Sequence, residues 1–423
     1  MGRLPDASLP DDCFAVGDRL LSIEEALAEF QARLAVVAGV ETVPLATAEG
    51  RFLAEDLVAG RSVPPHANAA VDGYAVHFDD LRPDAPVTLT VTGRAAAGHP
   101  LGRAGGRGEA IRIFTGAPMP AGPDTVVMQE DCAVAGDTVT IPPRLPRGAN
   151  VRQAGEDIRA GDTVLTAGRR LGPAEIGLAA SLGRVALPVR RPLRIALFST
   201  GDEVRDPGTP IADGQIYDAN RFVLAALLRR LGCGVDDHGI LPDRAAAIQS
   251  ALATAAGAAD AIVTSGGVSD GDEDHVKAAL EAAGGRLHHW RLAIKPGRPV
   301  ALGQIGGVPL LGLPGNPVAV MVTFLLVARP ILLRLAGAEI PPLRRFAVAA
   351  GFTHSKKPER REFIRAVLET DPAGTLVARR HGGEGSADLT SMAGAEGLVE
   401  LGEDLTRVAP GDAVAFIPMA TLL

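Results

Sequence analysis

The chain has 423 residues, 47% apolar and 22% charged, with 50 Gly, 32 Pro and only 4% aromatic residues. At roughly 100–200 residues per domain this predicts two to four domains with sizeable cores, and it excludes a disordered or low-complexity chain. A formal charge of −8, with one Trp and two Tyr, argues against a nucleic-acid surface, an anionic-membrane surface and base-stacking platforms. Residues 1–18 hold Asp6, Asp11 and Asp12 and no apolar core, which reads as a frayed tail rather than a signal peptide. Cys13, Cys132 and Cys233 are widely spaced with no CxxC, so neither a disulfide framework nor a cysteine zinc site is predicted. Together these predict a cytoplasmic protein.

In chain order, residues 20–38 have the spacing of an amphipathic helix, with Ser22 as N-cap and Glu25 completing a capping box. From about 60 to 155, the runs VTLTVTG, EAIRIFTG, DTVVMQED and DTVTIPP alternate with Gly/Pro turns, predicting an all-β insertion. Residues 155–190 read as turns and a helix opening at Pro173. Over 192–339, apolar strands (194–200, 260–266 and near 287–292, 300–305 and 308–313) alternate with helices (219–232, 243–257, 274–284 and from Asn316). That alternation predicts a parallel sheet covered on both faces. Val318 to Leu335 is apolar enough to be tested as a membrane span. Arg329, Pro330 and Arg334 interrupt it, so it reads as a buried core helix. Residues 340–423 return to short strands and turns, a C-terminal β domain.

Three turns fall at carboxyl ends of the α/β strands, where ligands bind in open α/β sheets. They are STGDE (199–203), TSGGVSDGDED (264–274) and GLPGNP (312–317). Their backbone N–H groups suit an anion, and none matches a Walker A or GxGxxG pattern. Asn316-Pro317 also has a plain reading as N-cap and first helical residue. Asp270, Asp272, Asp274 and Glu281 mimic a calcium loop but place His275 where Gly is needed. Asp202, Glu203 and Asp274, at adjacent strand ends, suit Mg²⁺ shared with phosphate oxygens instead. IKPGRP (294–299) stiffens two cations, Lys295 and Arg298, with Pro and Gly, an arrangement for a small oxyanion. KKPERREF (356–363) groups Lys356, Lys357, Arg360 and Arg361, a run that by itself reads as a solvated face. His288-His289 beside Trp290 reads as strand packing, so no histidine metal site or Ser-His-Asp triad is predicted.

These motifs, with ANAAVDGYA (67–75), IFTGAPMPAGPDTVVMQED (113–131), NVRQAGEDI (150–158), FSTGDEV (198–204), DGQIYDANR (213–221) and GLPGNPVAV (312–320), resemble the molybdopterin molybdenumtransferase family. That family is related to the gephyrin E domain. The resemblance runs from about residue 20 to 420. It implies a multidomain α/β plus β fold: a three-layer α/β molybdopterin-binding domain (192–339), an all-β insertion (61–154), an elongated N-terminal domain in two segments (19–60 and 155–191) and a C-terminal β-barrel domain (340–423). It implies insertion of molybdenum from molybdate into adenylylated molybdopterin, with Mg²⁺-dependent hydrolysis releasing AMP.

The implied acidic site residues are Asp72, Asp157, Asp243, Glu203 and Asp274, with Asp202, Glu203 and Asp274 carrying Mg²⁺. Ligand contacts would come from Thr115, Ser199, Thr200, Gly201, Ser265, Gly266, Gly267, Pro314, Gly315 and Asn316. Lys295, Arg298 and Arg360 would hold the molybdate, with Ser386 and Ser391 in the last domain. A homodimer is implied, with sites shared between subunits, and contact with the adenylyltransferase and with molybdoenzyme maturation proteins. The sequence departs from the family pattern at Ala69, His275 and Arg298. Two further readings are an adenylyltransferase, which shares the α/β domain, and a non-enzymatic gephyrin-like scaffold. The insertion and barrel argue against the first, and the full set of acidic and basic residues against the second.

Overall fold

A computed structural model describes residues 14–15, 20–266, 275–297 and 299–423. A seven-stranded sheet organises the α/β part. Across it the strands run Leu20–Leu21, Arg286–Leu292, Pro299–Ile305, Val308–Leu313, Ala261–Ser265, Arg194–Thr200 and Gly234–Leu241. Alternation on strand Arg194–Thr200 shows why helices cover both faces. Ile195 and Leu197 join a core with helices Ile23–Arg33 and Asn220–Arg230 and the 317–336 helix. Ala196 and Phe198 join another core with helices Ala245–Ala258 and His275–Ala282.

The sheet is mixed, which corrects the all-parallel expectation. Pro299–Ile305 runs antiparallel to both its neighbours. Its link to Val308–Leu313 is only Gly306-Gly307, both with positive φ (54° and 74°). A two-residue glycine link makes a hairpin, and no parallel crossover is that short.

Residues 14–15, assigned by sequence to a frayed tail, are anchored. Phe14 is 1% exposed, and its carbonyl accepts the Trp290 indole N–H at 3.0 Å. Phe30 stacks on Trp290 with centroids 4.7 Å apart. Helix Ile23–Arg33 opens on the Ser22–Glu25 capping box and is shorter than the apolar pattern to residue 38 implies. Strand Leu20–Leu21 pairs with Arg286–Leu292, so this segment packs on the α/β sheet.

The chain from 40 to 60 meets 155–190 through two short antiparallel pairings and the helix Pro173–Ser181. The insertion contributes a six-stranded sheet with an apolar cluster on each side. The 317–336 helix contains a π segment at Phe324–Ala328, just ahead of Pro330, and ends at Gly337 in the left-handed region. The wider turn accommodates a residue with no N–H. By length and composition the helix could cross a membrane, yet 83% of its most apolar window is buried inside the protein.

Five C-terminal strands close on themselves in the order Phe346–Ala350, Leu376–Arg380, Arg361–Thr370, Gly397–Leu401 and Ala413–Pro418. Ile294–Lys295 pairs in parallel with the start of Arg361–Thr370 and so ties this barrel to the α/β domain.

Candidate active site between the α/β domain and the barrel

That tie positions a cavity of about 530 Å³. The α/β side supplies Glu203, Gly266, the 295–297 turn, the 314–316 turn and Ala319. The barrel supplies His354, residues 362–365, Arg380 and the loop holding Gly383, Glu384 and Ser386. The volume suits a small-molecule ligand.

Two glycines show how closely the backbone is fitted here. Gly266 has φ 84°, and a Cβ would meet the Thr200 carbonyl oxygen at 2.7 Å. Gly297 has φ 102°, and a Cβ would meet Thr323 Oγ1 at 2.3 Å. The KPG turn therefore lies against the long helix only because position 297 lacks a side chain. The barrel loop closes the other side of that helix's N-terminus, since the Val318 N–H donates to the Ser386 carbonyl at 2.9 Å.

A neighbouring cavity of about 250 Å³ shares Glu203, Gly266, Gly315 and Asn316. Ser199, Thr200, Asn220 and Ser265 also line it. Asn220 Nδ2 donates to Ser265 Oγ (2.9 Å) and to the Gly315 carbonyl (2.6 Å), and Ser265 Oγ donates to the Pro314 carbonyl (3.2 Å). This network locks two of the three strand-end turns together. Ser199 Oγ, Thr200 Oγ1 and Asn220 Oδ1 are buried without a hydrogen-bond partner among the described residues. Buried polar atoms of this kind point to a polar ligand at the strand ends.

Electrostatics separate the cations of the larger cavity. Lys295 Nζ is 3.3 Å from Glu362 Oε2, so its charge is balanced across the domain boundary. Arg365 is only 4% exposed. Its Nε donates to Ser391 Oγ at 2.9 Å, and Nη2 donates to the Gly383 and Gly385 carbonyls. These partners are neutral. Burial, offset in part by Asp388, leaves the Arg365 pKa below the ordinary arginine value. A buried cation with neutral hydrogen-bond partners is costly until an anion meets it, so Arg365 is a candidate anion contact of the cavity.

Sequence reasoning chose Arg360 from this region. Arg360 is half-buried and does not line the cavity, whereas Arg365 does. Two other members of the run, unlike the exposed Lys357, are tied down rather than solvated. Lys356 is buried, with its Nζ donating to the carbonyls of Lys357, Glu403 and Leu405. Arg361 pairs with Glu24, Glu400 and Glu403. Ser386 lines the cavity, and Ser391 instead holds Arg365 from behind.

The acidic residues divide. Glu203 lies on the wall of both cavities, while Asp202 faces a shallower groove with Arg205 and Pro242. The Asp243 N–H donates to Asp202 Oδ1 at 3.4 Å. Asp274, Gly267 and Arg298 lie outside the described residues. Asp72 accepts the Thr115 N–H and hydroxyl, both at 2.8 Å. Those two bonds hold its carboxyl below the usual range. Asp72 and Thr115, in the insertion, and the exposed Asp157 line neither cavity of the single chain.

Among the described residues, no cluster of three or more His, Cys, Asp or Glu could hold a metal. A protein-only cage is therefore absent there. Mg²⁺ needs just one or two carboxylates when substrate phosphates complete its shell, and Glu203, between the two cavities, fits that requirement. His354, Glu362, Arg365, Arg380, Glu384 and Asn220 were missed by sequence reasoning. The alternation of REFIR and the glycine loop HGGEGS were the available signals.

Three family models match consecutive parts of the chain: MoeA N-terminal region (domain I and II) over 21–183, probable molybdopterin binding domain over 196–334, and MoeA C-terminal region (domain IV) over 347–419. A molybdopterin molybdenumtransferase of Haemophilus influenzae is 36% identical over 408 residues, covering 96% of this chain and 100% of that one. The chain belongs to the molybdopterin molybdenumtransferase family. Molybdopterin molybdenumtransferase 2 of Mycobacterium tuberculosis is 39% identical over 384 residues, covering 88% of this chain and 93% of that one. A solved molybdopterin biosynthesis MoeA protein of Pyrococcus horikoshii has a TM-score of 0.80 at 27% identity, covering 95% of this chain and all of that one. A further solved MoeA structure from that organism has a TM-score of 0.75 at 31% identity, covering 95% and 99%. Molybdenumtransferase membership thus spans all the domains that meet at the cavity.

Proposed function

We propose that this chain is the transferase that inserts molybdenum from molybdate into adenylylated molybdopterin, in a cytoplasmic step of molybdenum-cofactor biosynthesis. The observation that carries the reading is one cavity lined by two cations, Lys295 and the buried Arg365, together with Glu203 and the strand-end glycine turns. Molybdate and the pterin nucleotide repel each other. Two fixed cations offset that repulsion and hold the oxyanion beside the dithiolene, whose two thiols replace a molybdate oxygen that leaves as water with their protons. The smaller cavity, with Ser199, Thr200 and Asn220, takes the phosphate-bearing part of the nucleotide.

Glu203, with its neighbour Asp202 and with Asp274 of the 264–274 motif, would hold Mg²⁺. When bound, that ion supplies charge neutralisation for the pyrophosphate. Hydrolysis adds water across the phosphoanhydride and frees AMP. No residue of the chain acts as a covalent nucleophile. Arg298 adds a cation to the KPG turn.

Asp72, Thr115 and Asp157 line neither cavity of one chain, so a second copy would bring them to the site. We read the protein as a homodimer with shared sites on that ground, and a stable particle near 44 kDa in light scattering would contradict it. Asp243 is an acidic neighbour of Asp202. The adenylyltransferase that supplies the pterin nucleotide and the proteins that receive the product are its transient partners. An assay with adenylylated molybdopterin tests the activity. AMP release that requires molybdate and consumes no ATP supports it, and ATP consumption would favour the adenylyltransferase reading.

A further inference from the structure

His354 is buried between two charged side chains of the cavity wall. Its Nδ1 is 2.7 Å from Arg380 Nη2, and its Nε2 is 2.8 Å from Glu362 Oε2. A guanidinium can only donate, so Nδ1 accepts. Nε2 therefore carries the hydrogen and donates to the carboxylate. One neutral tautomer satisfies both neighbours, and the partners fix it.

The same Glu362 carboxylate faces Lys295 at 3.3 Å, and Arg380 also pairs with Glu384. A continuous chain runs from Lys295 through Glu362, His354 and Arg380 to Glu384, and all five residues line the cavity. These contacts use two of the five N–H donors of Arg380. Its guanidinium also lies over the Phe352 ring at 5.7 Å, which restricts its swing. Glu384 is 65% exposed and is a loose anchor alone. His354, 6% exposed, is the rigid one.

We propose that Arg380 is a third cationic contact for the oxyanion in this cavity, beyond Lys295 and Arg365, and that His354 is the positioning residue that aims it. The inference rests on the cavity being the molybdate site. Arg380 and Lys295 then belong to one hydrogen-bonded chain on the cavity wall, and neither can shift without disturbing Glu362 or His354. The arrangement selects a compact oxyanion that several donors can share.

Isothermal titration of the full chain with molybdate alone tests this. Arg380→Met should raise the molybdate Kd about 10-fold, the loss of one charge-assisted contact. His354→Phe should raise it about 5-fold by freeing Arg380 to follow Glu384. His354→Gln should return it to within about 2-fold of wild type, because its amide oxygen can accept from Arg380 and its N–H can donate to Glu362. In ¹⁵N-labelled protein, Nδ1 should show as the unprotonated acceptor and Nε2 as the protonated nitrogen, with the Nδ1 resonance moving in Arg380→Met. If Arg380→Met leaves the Kd unchanged while Lys295→Ala raises it, the inference falls and the cavity reading stands. If neither variant weakens binding, the cavity reading falls and the inference with it. A folded His354→Gln as weak as His354→Phe, or an imidazole protonated at Nδ1, would overturn the positioning role. Should His354→Phe not fold, the Arg380→Met titration and the nitrogen spectrum decide.

Discussion

Lys295 and Glu362 stand opposite each other in the short parallel pairing that joins the α/β domain to the barrel, with Nζ 3.3 Å from Oε2. One domain presents the cation and the other its counter-ion. The lysine is half exposed and the glutamate buried. A pair of this kind is worth about 0–1 kcal/mol, so an incoming oxyanion can compete for the ammonium without dismantling the boundary.

Glu362→Gln removes that competitor while its amide can still accept from His354. Molybdate should then bind about 3- to 5-fold more tightly, the range set by a pair worth no more than about 1 kcal/mol. Titration calorimetry measures it directly. Unchanged or weaker binding would mean that Glu362 organises the anion site rather than competing with the anion.

Glu203→Gln and Asp274→Asn should each lower AMP release about 100-fold or more while the thermal midpoint stays near wild type. Loss of a metal-ligand charge removes several kcal/mol from the transition state, and strand-end turns carry little of the core. Near-wild-type turnover of either variant at saturating Mg²⁺ contradicts the metal assignment.

The regular parts of the fold were legible because their periodicities are strong. Ile195 and Leu197 against Ala196 and Phe198 announce a sheet covered on both faces, and Ser22 with Glu25 announces a helix start. Sheet direction was not legible from apolar content. Gly306-Gly307 carried it, because a two-residue link enforces a hairpin whatever the strands contain. At the site, Glu203 and Lys295 were readable from turn chemistry. Arg365 was not, since it stands in an apolar strand pattern and its role depends on burial against Gly383, Gly385 and Ser391. Arg360 offered the louder charge signal in a run where Lys356 and Arg361 are structural pins and Lys357 is exposed. His354 gave no local pattern, and its partners on other strands meet it only when the barrel closes.

Asp260 predicts a pH dependence of stability. Burial raises its carboxyl pKa, but hydrogen bonds from the Arg191 guanidinium (2.6 and 2.8 Å) and the Arg194 N–H (2.8 Å) outweigh this and leave it below the ordinary value. A carboxyl depressed in the folded state stabilises above its unfolded pKa, and that contribution is lost as pH falls through the folded pKa. Asp260→Asn should therefore cost about 1–2 kcal/mol at neutral pH. The gap to wild type should narrow below about pH 4, where the unfolded carboxyl protonates. Urea midpoints at pH 7 and pH 3 test this, and a constant gap would contradict it.

Thiol labelling checks two partly buried cysteines. Burial, aided by Asp131, pushes the Cys132 thiol up to about 11. Burial, aided by Asp260, pushes the Cys233 thiol up to about 12. The thiolate is the reactive form. At pH 8 the native chain should show at most one fast-reacting thiol of its three, and all three after unfolding. Two fast thiols in the native state would contradict the burial of one of these residues.

The central claim is that the cavity between the α/β domain and the barrel binds molybdate through Lys295 and Arg365. Isothermal titration of Lys295→Ala with each ligand in turn tests it most directly. Losing one charge-assisted contact, worth roughly 1.5–3 kcal/mol, should weaken molybdate binding about 10- to 150-fold. Binding of adenylylated molybdopterin should stay within about 2-fold of wild type, less than 0.5 kcal/mol. Collapse of pterin-nucleotide binding with molybdate binding unchanged would contradict the claim and make the KPG turn a phosphate clamp.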